Sequence, residues 1–298
     1  MKLSLFTENK ILKDALIELI RPNRLSHNPS DLQADHFVVV DQDVALLQEK
    51  LKTVPRQRLY FISNRSDEEN IALIQKYELS HLVGFDEKNT PLEIMQHYRI
   101  FEAKNFWGSG HYLANGIIPD SISFSESKRE MSKIPELIKS LSWEDFFDSP
   151  ADYMNLMANE LVSNALYNGP EGKRLGADYP VDRKSPVFLK GSELIQLKLG
   201  IDSHAAVLSV IDCFGTLTKE KVIQSLYRSF QEKTVENKKG GAGLGLYLSY
   251  SHGHQFIVNS KPGVKTEVII VIEKNKRYKN YKSRLKSFHF FDEAHAHE

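Results

Sequence analysis

Glu160 and Asn164 stand four residues apart in the stretch WEDFFDSPADYMNLMANELVSNALYNGPEG. On a helix that spacing projects a carboxylate and a carboxamide from one side, one turn above the other. A carboxamide oxygen can ligate a hard octahedral cation such as Mg2+, and the carboxylate beside it can orient or deprotonate a nucleophile. Two solvated side chains on an exposed helix face would show the same spacing. A second candidate is KKGGAGLGLYLSYS, Lys238 to Ser251, in which four glycines fall within six residues ahead of an apolar, aromatic segment. Bare backbone before a helix lets amide groups and the helix dipole approach an anion. The run therefore reads either as a phosphate cradle or as a flexible loop.

These side chains need elements to hold them. Ser149 is placed to cap a helix, Pro150 suits its first position, and Gly169-Pro170 is expected to end it. Met154, Met157, Leu161, Ala165 and Leu166 fall on one face of that helix, as packing on a sheet requires. SELIQLKLGIDSHAAVLSVIDCFGTLTKE reads as two alternating strands around a turn, the second ending in Asp212. A charged stretch follows, then the glycines and their helix. HQFIVNSKPGVKTEVIIVIEK closes the region as strand, turn and strand.

In that order the segments resemble the Bergerat ATP-binding fold of gyrase, heat-shock-90 chaperones, histidine kinases and mismatch-repair MutL proteins. The resemblance covers about residues 149–274. NELVSNALYN matches the N box, DCFG the first glycine box, GGAGLGLYL the second, and GVKTEVIIV the closing threonine motif. It implies ATP and Mg2+ as ligands. Glu160 would be the general base or the carboxylate that orients the nucleophile, and Asn164 the Mg2+ ligand. Asp212 would accept a hydrogen bond from the adenine amino group, with Gly215 beside it and Thr266 near the ring. Gly241, Gly243, Leu244 and Gly245 would form the phosphate loop, and Lys238 and Lys239 would reach the terminal phosphate or remain solvated surface charges. Two places depart from the pattern: Phe214 and Thr216 occupy glycine positions of the first box, and Tyr167 and Asn168 stand where sensor kinases carry a cation and an aromatic.

Upstream, short apolar runs ending at Val40, Ser63 and Phe85 alternate with helix-like stretches over residues 1–105, the signature of a parallel sheet covered on both faces. This order resembles a response-regulator receiver domain, which implies Asp41 as a phosphoacceptor. The supporting chemistry is sparse, with Glu8 alone where paired acids belong, Gly84 where a lysine belongs, Lys88 several residues late and Ser63 for the switch hydroxyl. A partner-binding or dimerising module without phosphorylation is the other reading. Residues 106–148 read as a connector with a helix and little core of its own, and 275–298 as a tail that packs or binds a partner, with HAHE a weak metal motif.

The expected fold class is α/β: an N-terminal receiver-like (flavodoxin-like) parallel-sheet domain plus a C-terminal α/β sandwich of the Bergerat type. Lys+Arg and Asp+Glu are both 39 in the 298 residues, so no overall field recruits nucleic acid or anionic lipid. No apolar run approaches a membrane span, and the single cysteine, Cys213, excludes an internal disulfide and fits a reducing cytoplasm. No phosphoacceptor histidine lies on a helix before the ATP region; His111 sits in GSGHYLANG. The chain is therefore similar to the small-domain branch that includes the anti-sigma-factor serine kinases, which usually carry a glutamate at the position of Glu160. The expected function is an ATP-binding signal-transduction protein, kinase-like, acting through a protein partner, with a homodimer also open. The alternative is a non-catalytic module in which the nucleotide is absent or sets only conformation.

Overall fold

Short apolar runs without alternation fold as strands buried on both faces. In the first hundred residues these are β1 (Lys2–Phe6), β3 (His36–Asp41), β4 (Leu59–Ser63) and β5 (His81–Gly84); the short β2 (Leu25–Ser26) pairs with β1, and all five run parallel. The helices α1 (Lys10–Leu19), α2 (Val44–Lys50), α3 (Asp67–Tyr77) and α4 (Asn89–Ala103) cover them. Local chemistry starts two of these helices. Asp43 accepts from the Leu46 amide at the head of α2, and Ser66 with Glu69 forms a capping box on α3. The computed structural model describes residues 2–19, 25–26, 36–114, 117, 119–126, 131–175, 186–189, 191–234 and 244–293.

The second half adds β6 (Asp120–Phe124), α5 (Ile134–Ser140), α6 (Pro150–Leu175), β7 (Ile195–Ile201), β8 (Ala205–Asp212), α7 (Lys219–Thr234) and α8 (Leu244–His252). After these come β9 (Gln255–Lys261), β10 (Lys265–Glu273), α9 (Tyr278–Ser283) and β11 (Ser287–Asp292). The eleven strands among the described residues form one mixed sheet in the order β2-β1-β3-β4-β5-β11-β9-β10-β8-β7-β6. The chain is thus mixed α/β, and among the described residues no helix is long and apolar enough to cross a membrane.

Three local expectations need correction. Ser149 has φ 63°, left-handed backbone rather than the extended conformation typical of a capping residue. The helix runs on through Gly169-Pro170 to Leu175. A proline inside a helix costs about 3 kcal/mol; here Gly169 and Pro170 are both buried, and packing holds the turn that local propensity would end. The connector has more core than its composition implies. Phe106, Tyr112 and Leu113 cover one face of β8 and β10, while Phe124, Ile134, Ile138 and Phe147 join the layer beneath α6.

The tail is the largest surprise. β11 runs parallel to β9, from Ser287 opposite Gln255 to Asp292 opposite Ser260, and antiparallel to β5 through Phe288–Leu82 and His289–His81. It therefore occupies the middle of the sheet and joins its two halves. Around this seam lies a buried polar web. His289 Nε2 is 2.8 Å from Glu93 Oε1, and the Nδ1 atoms of His289 and His81 are 3.3 Å apart. Arg284 lies 3.5 Å from Glu93 and 3.2 Å from Glu273, and donates to the Gly84 carbonyl at 2.7 Å. Burial pushes His81 and His97 well below the ordinary imidazole range and His289 down to about 3, so these rings are neutral.

Gly84 is where the tail passes closest to β5. A Cβ there would lie 2.6 Å from the backbone carbonyl of Leu285. Backbone cannot swing aside as a side chain can, so Gly84→Ala is expected to destabilise the protein by about 1–3 kcal/mol. Urea unfolding checks this; a midpoint unchanged from wild type would show that the contact yields freely.

Candidate functional site

The site is built on α6. Its buried stripe, Met154, Met157, Leu161, Ala165 and Leu166, lies on the sheet and leaves Glu160 and Asn164 half-buried at its edge. The helix that follows the glycine run, α8, packs against this edge. Gly245, in its first turn, is buried there. A Cβ at Gly245 would overlap the Glu160 carboxylate oxygen Oε2 and lie 3.1 Å from Glu160 Cβ and 3.2 Å from Asn164 Nδ2. The glycine is needed because the start of α8 is pressed onto the turn that carries the carboxylate and the carboxamide. Ser249 Oγ donates to the Gly245 carbonyl at 2.9 Å, while Leu244 is exposed.

Asp212 and Thr266 end β8 and begin β10 as direct cross-strand partners, on the same side of the sheet as α6. Asp212 Oδ1 accepts from the amides of Phe214 at 2.8 Å and Gly215 at 3.2 Å, so the carboxylate organises its own turn. Burial is the dominant influence on it and outweighs those bonds, raising its pKa to about 6. A buried carboxylate poised near neutrality is a recurrent mark of functional sites. Gly215 has φ 62°, and a Cβ there would lie 2.7 Å from the Gly263 amide nitrogen, so its backbone closes against the β9–β10 turn.

Phe214 is 1% exposed, and its ring lies against Gly169, one turn beyond Asn164. No motif reading pairs these two residues; Gly169 followed by proline reads as a helix end. Tyr167 is buried, and the exposed Asn168 donates to Asn164 Oδ1 at 3.4 Å. Lys238, Lys239, Gly241 and Gly243 lie outside the described residues, as do His295 and His297 of the tail motif.

No protein-family model matches this chain, and no curated protein matches it. Among the described residues no group of three or more His, Cys, Asp or Glu side chains is arranged to hold a metal ion. Glu160 and Asn164 together offer oxygen donors of the kind a hard cation takes, with the remaining positions left for ligand oxygens and water.

In the N-terminal half, Asp41 ends β3 opposite Ile62, and Ser63 ends the neighbouring β4. Asp41 Oδ2 accepts from Thr7 Oγ1 at 2.5 Å, while Glu8 is exposed. Ser63 is buried and accepts from the Arg65 amide at 3.2 Å. At the end of β5, the Gly84 carbonyl is taken by Arg284, and Lys88 stands exposed at the head of α4.

Proposed function

We propose that the C-terminal half is a Bergerat-type nucleotide-binding module that takes ATP with Mg2+ and works as a kinase-like signalling protein on a protein partner. The observation that carries this is the seating of Gly245 on Glu160 and Asn164, since a backbone brought that close to a donor pair leaves a cradle that any side chain would fill. The pairing of Asp212 with Thr266 on adjacent strands supports it as an adenine-reading edge. In the N-terminal half, the parallel order β2-β1-β3-β4-β5 supports a receiver-like module.

On this reading Asn164 would hold Mg2+, which would supply charge neutralisation at the terminal phosphate. Glu160 orients the partner's hydroxyl and takes its proton as that oxygen bonds to the terminal phosphorus and ADP departs; Asp212 selects the adenine amino group. The amides at the start of α8 face the phosphates, and α6 keeps the donor pair in place through its buried stripe. The burial of Phe214 against Gly169 favours a second reading, in which the base pocket is narrowed and bound nucleotide sets conformation without transfer.

Calorimetric titration with Mg-ATP, Mg-ADP and Mg-GTP tests the site. Adenine nucleotides should bind and GTP should not. Gly245→Val should weaken Mg-ATP binding by at least about tenfold, because the added methyls displace Glu160, and a tenfold change corresponds to only about 1.4 kcal/mol. Adenine nucleotides that fail to bind at millimolar concentration end the proposal. Binding that persists in Glu160→Ala, with no phosphoryl transfer by the wild type to any partner, selects the second reading.

A further inference from the structure

A groove of about 1270 Å3 crosses the face of the sheet opposite α6–α8, between α4 on one side and the β7–β8 turn and the end of β10 on the other. It exceeds the roughly 300–1,000 Å3 that drug-sized ligands occupy. Along α4 it is lined by Lys88, Leu92, Gln96 and Arg99, which recur at helical spacing, and Leu92 is 54% exposed.

The charges of this groove are unequally committed. All four of its carboxylates are engaged within the protein. Asp86 accepts from the amides of Lys88 and Asn89, and Asp202 from those of Ala114, His204 and Ala205. Glu93 and Glu273 are held by His289 and Arg284. By contrast Lys88 and Arg99 are exposed, and among the described residues neither has a carboxylate within ion-pair distance. Lys274, across the groove, lies over the Phe146 ring at 5.4 Å. The uncommitted charge is positive, and it flanks an exposed leucine. Beneath the floor, Gln255 Oε1 and the Tyr112 hydroxyl are buried without a hydrogen-bond partner.

We propose that this groove docks an acidic peptide segment of a partner protein, its apolar anchor seated on Leu92 and its carboxylates meeting Lys88 and Arg99. The mode is an amphipathic segment lying along a groove, in which rim charges steer and orient while the buried anchor holds. The groove lies on the other face of the sheet from Gly245, so this proposal stands whether or not the nucleotide reading does.

The test uses the full chain and a short fluorescein-labelled peptide with leucine flanked on both sides by glutamates, followed by fluorescence anisotropy. The peptide should bind saturably and more weakly as salt rises. Combining Lys88→Glu with Arg99→Glu should weaken it by about tenfold and gain binding of the peptide in which lysines replace the glutamates. Leu92→Ser should weaken both. These are exposed positions, so the variants should keep the wild-type melting temperature. Absence of saturable binding, equal binding by the charge-reversed protein, or displacement by citrate alone or by Mg-ATP would each overturn the proposal. The last two outcomes would assign the contact to a small-anion site and to the nucleotide site respectively.

Discussion

Phe290→Ala is expected to lower stability by about 3–5 kcal/mol, the usual effect of emptying a buried aromatic site. Phe290 is 1% exposed in β11, and with Phe288 it belongs to the hydrophobic layer that runs under both halves of the sheet. Elsewhere such a cavity would burden one domain. Here it sits between β5 and β9, and both halves should loosen together. The melting temperature should fall by roughly 10 °C, given about 2–4 °C per kcal/mol for chains of this size class. The transition should remain single. Phe290→Leu should recover most of the loss, and Phe188→Ala, at a residue 60% exposed, should change little. Differential scanning calorimetry decides the matter. A Phe290→Ala protein that melts in two steps, one unshifted, would show that the halves stand independently of β11.

Asp212→Asn should move stability and binding in opposite directions. The folded carboxyl has a pKa of about 6 against an ordinary 3.8, so the folded state holds the proton more tightly than the unfolded chain. The associated stability is fully present below about pH 4 and is lost as pH rises through 6, above which a charge is buried. A gap of about two pH units corresponds to roughly 3 kcal/mol. Asparagine is neutral and keeps an oxygen for the Phe214 and Gly215 amides. The variant should therefore be more stable than wild type at pH 8, by on the order of 1–3 kcal/mol, and should converge with it near pH 4. Its affinity for Mg-ATP should fall about 100-fold, since a charge-assisted bond is replaced by a weaker neutral one with a mispaired amide. Urea titrations at several pH values and calorimetry with ATP read the two effects. A variant that is less stable at pH 8 and binds ATP normally would remove Asp212 from the site.

How much of this was legible beforehand depended on whether the signal was local. The helix carrying Glu160 was legible because Met154, Met157, Leu161 and Ala165 repeat at helical spacing. The parallel strands were legible because runs such as FVVV offer no polar face. Yet β8 reads as alternating and is almost wholly buried, because the other side of the sheet is covered by Phe106 to Leu113, residues whose glycine and serine neighbours conceal their role. SFHFFD was harder still. It is six residues long and follows a lysine- and arginine-rich stretch, and its partners lie more than 25 residues away in β9 and about 200 away in β5. Periodicity reports which face of an element is buried and carries no information about distant pairing. Only the family resemblance assigned Gly245, Glu160 and Asn164 to one site, and the contact between them is visible in the fold alone; the contact of Phe214 with Gly169 had no local sign and contradicted one.

Because β11 follows both of its sheet neighbours, β5 and β9, in the chain, it also leaves the ribosome after them. At about 5–20 residues per second, the roughly 200 residues between β5 and β11 take on the order of 10–40 s to synthesise. Throughout that interval β5 presents an open edge in the nascent polypeptide, and β9 adds a second over its closing stretch, the arrangement most prone to pairing with the wrong strand. Biogenesis of this protein should accordingly depend on holding factors that shield those edges until translation has passed residue 292.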